Sequence, residues 1–156
     1  MSTTYRRALL HAPITLAAAL ILAVAVAAFA PATRAEAAPM AAGERIVKIA
    51  ASKRGTPYAY GASGPGAFDC SGFTSWVYAR AGRRLPRTSG AQAGMTHRIP
   101  AQQSRRGDLV FFSSGGHVYH VGIYAGGGRV WHAPYPGAGV RLERIWTRAH
   151  FFGRVG

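Results

Sequence analysis

The spacing of apolar and polar residues predicts a helical first part of the chain. An apolar face indicates a helix over residues 44–54, and bulky side chains on one side indicate a second helix over 69–81. A shorter helix is expected over 89–95. Asp69 is a suitable N-cap for the second helix because its carboxylate can accept hydrogen bonds from unpaired backbone N–H groups. Gly82 is a suitable C-terminal stop for the same helix.

Beyond residue 108 the pattern changes to short runs of β-branched and aromatic residues, which favour strands. A glycine-rich turn over 125–128 separates two of these runs and predicts a hairpin. The expected strands cover residues 109–112, 118–124, 129–133 and 140–145, with Phe151 and Phe152 closing the sheet. Helices followed by strands of this kind predict an α+β fold with an antiparallel sheet.

The first 37 residues are typical of a secretory signal peptide. Two arginines precede an apolar run over residues 14–30, and Ala35-Glu36-Ala37 offers small residues where a signal peptidase cuts. A membrane anchor is disfavoured because the run is short for a span of ~20 residues. The sequence therefore predicts a signal peptide over 1–37 and a single exported domain over 38–156, with no transmembrane segment after cleavage.

The predicted mature chain is strongly basic. Residues 38–156 carry 16 lysines and arginines against four acids, a net charge of +12. Such a charge favours a polyanionic partner, and for an exported protein the candidates are wall polymers and anionic lipid headgroups. Export and the lack of any recognisable nucleic-acid-binding motif disfavour nucleic acid. A genome biased towards arginine codons would produce the same composition.

Cys70 is the only cysteine of the 156-residue chain and so has no intrachain disulfide partner. A lone thiol in an exported protein indicates either an intermolecular bond or a reactive group. The predicted position at the first turn of the second helix supplies free N–H groups and partial positive charge. We expect this setting to lower the pKa of the thiol and to hold an oxyanion. An inert, buried cysteine is the alternative.

Two histidines of the predicted hairpin are candidates for the base that a thiol nucleophile needs. If the hairpin folds about Gly126, His120 faces His132 directly across the ladder, and one imidazole can orient the other. Together with Cys70 the two histidines could also ligate zinc. The absence of a close C-x-x-C or H-x-x-x-H pair disfavours that alternative, and no metal or organic cofactor is expected.

Five sequence blocks, in this order, resemble those of the NlpC-type cell-wall cysteine peptidases. They are Phe68-Asp69-Cys70-Ser71-Gly72-Phe73, Leu85-Pro86-Arg87-Thr88-Ser89, Gly107-Asp108-Leu109-Val110-Phe111-Phe112, His120-Val121-Gly122-Ile123-Tyr124 and His132-Ala133. Each block alone is weak, but together they are specific, and the resemblance extends over roughly residues 43–146, nearly all of the predicted mature chain. The resemblance implies a minimal papain-like fold in which the cysteine-bearing helix packs on the sheet that carries both histidines.

The resemblance also implies hydrolysis of peptidoglycan stem peptides, typically between D-γ-glutamyl and a diamino acid. Matched residue by residue, Cys70 is the nucleophile, His120 the general base and acid, and His132 the orienting third member. The implied location is secreted or wall-associated. The net positive charge would then attract the protein to anionic wall polymers.

Three further residues match positions that contact substrate in the family. Tyr58 matches a tyrosine beside the active site, and Asp69 and Ser71 match positions that in many members hold the free amine of a trimmed stem peptide. Two other functions stay open. One is a thiol amidase, acyltransferase or deamidase acting on another extracellular substrate. The other is a non-catalytic, cationic wall-binding protein, which the complete set of cysteine and histidines disfavours.

Overall fold

Three α-helices and six β-strands make up residues 32–156, which the computed structural model describes. The elements are α1 Ala32–Ala51, α2 Cys70–Arg80, α3 Ser89–Met95, β1 His97–Ile99, β2 Leu109–Ser114, β3 His117–Gly126, β4 Arg129–His132, β5 Arg141–Arg144 and β6 His150–Arg154. The predicted α+β class is confirmed. In this part of the chain, none of the helices has both the length and the apolar character needed to cross a bilayer.

The first helix differs from its prediction at both ends. It begins at Ala32 rather than at residue 44, and it ends at Ala51 rather than at residue 54. Alanines dominate the added segment, and alanine has the highest helix propensity. The predicted signal peptide lies mostly outside the described residues, and its last six residues belong to α1.

The second and third helices agree with the sequence pattern. Asp69 caps α2, and its carboxylate accepts a hydrogen bond from the Gly72 N–H at 2.7 Å. Beyond the C-cap residue Ala81, Gly82 has a φ of +87°, a conformation that glycine adopts without steric cost. The helix start that carries Cys70 is therefore fixed locally by its own cap.

The strands form one antiparallel sheet in the order β1-β6-β2-β3-β4-β5. Every predicted strand is present, but two features differ from expectation. The three-residue strand β1 was not predicted, because its residues are mostly exposed and show no apolar alternation. Strand β6 pairs with β1 on one side and β2 on the other, so Phe151 and Phe152 lie inside the sheet rather than at its edge.

Two apolar clusters cover the opposite faces of this sheet. The larger one packs α1 and α2 against alternate residues of the strands, such as Phe111 and Val121. The smaller one contains the residues that point the other way, including Phe112 and Val130. Because side chains alternate along a strand, His120 lies on the face of the smaller cluster, beside Phe112.

The fully buried side chain of Gln92 ties α3 to the first turn of α2. Its amide oxygen accepts a hydrogen bond from the Thr74 hydroxyl at 2.7 Å. Its amide nitrogen donates to the carbonyls of Ser71 at 3.0 Å and Pro86 at 2.9 Å. One side chain therefore holds the loop before α3 against the helix start that carries Cys70.

We expect Gln92→Leu to lower the free energy of unfolding by about 2–3 kcal/mol, because leucine fills the space but removes the buried hydrogen bonds of Gln92 with the Thr74 hydroxyl and with the carbonyls of Ser71 and Pro86. Urea denaturation measures this change. The control is Gln102→Leu, which changes an exposed side chain in the same chemical way and should stay within about 0.5 kcal/mol of wild type. Equal losses in the two variants would contradict the role of Gln92.

Candidate active site

Cys70 opens onto a cleft of about 410 Å³ at one end of the sheet. The residues lining it include Tyr58, Cys70, Tyr119, His120, His132, Tyr135, Glu143 and Trp146. The structure thus brings Cys70, His120, His132 and Tyr58 to one cleft. Elements far apart in the sequence meet here: the start of α2, the first half of β3 and the end of β4.

The thiol of Cys70 is partly buried, and its pKa is affected by several groups. Burial raises the pKa of Cys70, and the negative charge of Asp69 raises it further. The backbone N–H groups of Val121 and Ser71 act in the opposite direction without reversing the shift. The prediction that the helix start lowers the pKa of the thiol is therefore wrong, because desolvation outweighs these hydrogen bonds. The resting thiol is protonated near pH 7.

The two imidazoles of the cleft contact each other directly. Nε2 of His120 lies 2.9 Å from Nδ1 of His132, and the ring planes stand at 84° to each other. Only 7% of His120 and 2% of His132 are exposed. The contact uses Nε2 of His120, so Nδ1 is the ring nitrogen left for a proton from another group.

The imidazoles meet although the hairpin register differs from the prediction. Ile123 pairs with Trp131, so His120 does not face His132 directly as a turn about Gly126 would require. The turn is instead formed by Gly127 and Gly128, whose φ values of +59° and +67° suit a tight two-residue hairpin loop. The register is offset by two residues. Such an offset keeps side chains on the same face, and the imidazoles become diagonal neighbours.

Gly122 provides the space that this diagonal contact needs. A Cβ atom at this position would lie 3.1 Å from Cβ of His132 and 2.4 Å from Cγ2 of Val130. The second distance is far inside van der Waals contact, so a larger residue would displace β4. The glycine that follows His120 by two positions is thus a packing requirement of the histidine pair.

Glu143 extends the line of contacts beyond the histidines. Its Oε2 lies 2.9 Å from Nε2 of His132. Burial lowers the pKa of His132, while the hydrogen bond and the charge of Glu143 oppose that shift. Burial, with a smaller effect of His132, lowers the pKa of His120 to about 3. His120 is therefore neutral near pH 7.

Trp146 covers the imidazole pair on its solvent side. Its ring stacks on Phe112 with centroids 4.0 Å apart and planes at 7°. The same ring lies 5.8 Å from the centroid of His120 and 5.2 Å from that of His132. About half of Trp146 is exposed, so it separates the histidine contact from water while lining the cleft.

Sequence reasoning missed Glu143 and Trp146. Both follow β4 in the chain, and no local motif marks either of them. A signal for Glu143 existed in the strand pattern: β5 places Arg141 opposite His132, and Glu143 lies two residues further on the same face. That signal requires the β4–β5 register, which the loop over 133–140 does not reveal.

Asp69 and Ser71 are held by groups of the protein itself. The Asp69 carboxylate accepts hydrogen bonds from the N–H groups of Gly61 and Gly72 and from the two terminal nitrogens of Arg87, at 2.5 to 3.0 Å. Arg87 also donates to the Ser71 hydroxyl at 3.0 Å. Although burial alone would raise it, these donors hold the pKa of Asp69 below its usual value. A substrate amine would have to compete with Arg87 here.

Tyr58 differs from these two residues because its hydroxyl remains available. Within residues 42–156, no hydrogen bond involves its Oη atom. Burial raises the pKa of Tyr58, and the nearby Cys70 adds to the shift. The phenol is therefore neutral and can donate to a group bound beside the thiol.

The zinc site considered as an alternative would require several metal-ligating side chains close together. Among the residues that the structure describes, no group of three or more His, Cys, Asp and Glu side chains is placed to hold a metal ion.

Known proteins share both the sequence and the fold of this chain. A family model described as NlpC/P60 family matches residues 55–150. A probable endopeptidase of Corynebacterium glutamicum is 51% identical over 105 residues, which make up 67% of this chain and 49% of that protein. The bifunctional muramidase/DL-endopeptidase CwlT of Bacillus subtilis is 41% identical over 119 residues, covering 72% of this chain and 36% of that protein. The chain thus spans about half or less of the length of these two relatives.

Solved structures with a similar fold agree with these sequence matches. The crystal structure of the NlpC/p60 domain of the peptidoglycan hydrolase SagA is 40% identical, with a TM-score of 0.65, and covers 71% of this chain and 96% of that one. The resuscitation promoting factor interacting protein RipA is 33% identical, with a TM-score of 0.67, and covers 74% of this chain and 62% of that one. The family match extends over more than half of the sequence, and the fold agrees with it, so this chain belongs to the NlpC/P60 family.

Proposed function

We propose that the protein is a cysteine endopeptidase that hydrolyses peptidoglycan stem peptides, at the bond between D-γ-glutamyl and a diamino acid. The observation that carries the proposal is the convergence of Cys70 with the hydrogen-bonded pair of His120 and His132 in one cleft. Relatives named as endopeptidase and DL-endopeptidase, and a structural neighbour named as a peptidoglycan hydrolase, support the choice of substrate.

The proposed reaction begins with attack of the Cys70 sulfur on the amide carbonyl carbon, while the thiol proton moves to Nδ1 of His120. N–H groups in the first turn of a helix have no intrahelical partner, so those of Cys70 and Ser71 can stabilise the oxyanion. The Tyr58 hydroxyl is the third donor that we assign to it. His120 then protonates the leaving amine as the carbon–nitrogen bond breaks, and an acyl-enzyme remains.

Hydrolysis of the acyl-enzyme completes the cycle. Water attacks the thioester carbonyl and gives its proton to Nδ1 of His120, and that proton returns to the departing Cys70 sulfur. His132 keeps the His120 ring oriented through both steps, as the third member of a triad does. In each of these steps, His120 accepts the proton and then donates it.

The direct test is mass spectrometry of muropeptides after digestion of purified cell walls. Wild-type protein should release fragments cut between D-γ-glutamyl and the diamino acid. Cys70→Ala and His120→Ala should each lose at least about 1,000-fold in rate, because the nucleophile or its base is gone. Ser52→Ala, an exposed change away from the cleft, should digest walls like the wild type.

Digestion that is equal in wild type and Cys70→Ala would contradict the mechanism. Wild-type protein that leaves wall peptides intact, but whose Cys70 still reacts with acylating reagents, would favour a thiol amidase, acyltransferase or deamidase on another substrate. Retained wall binding with an unreactive Cys70 would favour a non-catalytic wall-binding protein.

We also propose that the protein is exported, loses residues 1–37, and associates with anionic wall polymers. All four acidic side chains of residues 38–156 are ion-paired with arginines: Glu44 with Arg106, Asp69 with Arg87, Asp108 with Arg154, and Glu143 with Arg141. The net charge of +12 is therefore carried by cations that have no acidic side chain as a partner. N-terminal sequencing of the protein recovered outside the cell tests the cleavage site.

Binding of the purified protein to cell walls should weaken steeply as salt rises from about 0.05 to 0.5 M, because salt screens contacts between exposed charges. Sedimentation with walls measures the bound fraction. The Cys70→Ala variant should give the same salt dependence, since it keeps the surface charge and prevents digestion during the assay. Binding that is insensitive to salt would contradict the electrostatic attraction.

A further inference from the structure

We propose that Glu143 is a positioning residue of the active site, which fixes the tautomer of both imidazoles through its contact with His132. The inference rests on the proposed role of Cys70 as nucleophile and His120 as base. It adds a fourth side chain to the line formed by those two residues and His132.

The carboxylate of Glu143 determines where the hydrogens lie on both imidazoles. An ionised carboxylate only accepts hydrogen bonds, so the 2.9 Å contact of Glu143 with His132 requires a hydrogen on Nε2 of His132. A neutral imidazole carries one N–H, so Nδ1 of His132 is an acceptor. The 2.9 Å contact of that atom with His120 then requires a hydrogen on Nε2 of His120. Nδ1 of His120 is left unprotonated, as a base for the thiol must be.

The surroundings make this sequence of contacts effective. His132 is 2% exposed, and Trp146 covers its ring, so water competes little with the hydrogen bond between the two imidazoles. The contact with Glu143 is partly buried, since 36% of the Glu143 side chain is exposed. Hydrogen bonds in such a sheltered site are electrostatically stronger than in water. The pairing of His132 with Arg141 across the β4–β5 ladder sets the position of Glu143 through the backbone, independently of the cleft contents.

Arg141 contacts one carboxylate oxygen of Glu143, and the other oxygen contacts His132. Its Nε lies 2.7 Å from Oε1 of Glu143, as an ion pair in which the N–H is not aligned with the oxygen. The guanidinium also donates to the Tyr135 hydroxyl at 3.2 Å. Oε2 of Glu143 thereby remains directed at His132, and the charged groups facing the imidazole pair are Glu143 and Arg141.

Glu143 has a second effect on the reaction, through the positive charge that forms on His120. When His120 takes the thiol proton, a positive charge forms inside a buried site that disfavours it. A carboxylate two hydrogen bonds away stabilises that imidazolium through the polarisable ring of His132. Loss of Glu143 should therefore slow the chemical step and leave substrate binding nearly unchanged.

A double-mutant cycle with His132 tests the proposal. In the wild-type background, Glu143→Ala should lower kcat about 10- to 100-fold, the usual effect of removing an orienting partner, with KM changed less than about 2-fold. In the His132→Ala background, the same change should have no further effect on kcat, because Glu143 acts through His132. Glu143→Gln should be intermediate, since its amide oxygen can still accept from Nε2–H.

The matched control is Glu44→Ala, which removes an exposed glutamate that also pairs with an arginine but lies in α1. It should leave kcat and KM at wild-type values. An unchanged kcat in Glu143→Ala, or an equal loss in both His132 backgrounds, would overturn the proposal. Thermal melts of Glu143→Gln identify any loss that comes from unfolding.

Alkylation of Cys70 by iodoacetamide separates this inference from the proposed function. The alkylation rate at neutral pH depends on how readily the thiol ionises, which a neighbouring imidazole base promotes, and it requires no wall substrate. Glu143→Ala should slow it in the wild-type background and not in His132→Ala. If wild-type protein cleaves no wall peptide, the proposed function fails, but the alkylation rates still test the role of Glu143. Equal alkylation rates with and without Glu143 would overturn the positioning role.

Discussion

The hydrogen bond between Nε2 of His120 and Nδ1 of His132 is the contact on which the site depends. It determines which nitrogen of His120 remains for the thiol. It also determines what the surrounding structure must supply: a glycine at position 122 so that the rings can approach, a two-residue turn that sets the register, and a hydrophobic cover of Phe112 and Trp146. The fold provides each of these from a different element.

Burial has opposite effects on the two reacting groups. It raises the pKa of Cys70 and lowers that of His120, so the resting state holds a neutral thiol and a neutral imidazole. In the proposed mechanism the thiolate therefore forms during the reaction and is not present beforehand. The proposed mechanism relies on a base held in one tautomer in the same cleft as the thiol, with donors at the start of α2 for the oxyanion that forms. Precise orientation of His120 is then the main requirement.

The parts of the site set by local sequence could be predicted, and those set by distant pairing could not. The Asp69 cap, the start of α2 at Cys70 and the shared face of the two histidines follow from caps and strand alternation. The offset of the hairpin was missed because three consecutive glycines allow several turn centres. Glu143, Trp146 and Arg87 reach the site through the β4–β5 register or through loops, which no local pattern specifies.

The positions of the hydrogens on the two imidazoles are measured directly by long-range ¹H–¹⁵N correlation spectra of histidine-labelled protein. His120→Gln and His132→Gln variants assign the signals. At pH 7 both residues should be neutral and carry the hydrogen on Nε2, which leaves Nδ1 of His120 free for the thiol. A hydrogen on Nδ1 of His120, or a protonated His120 at this pH, would contradict the account.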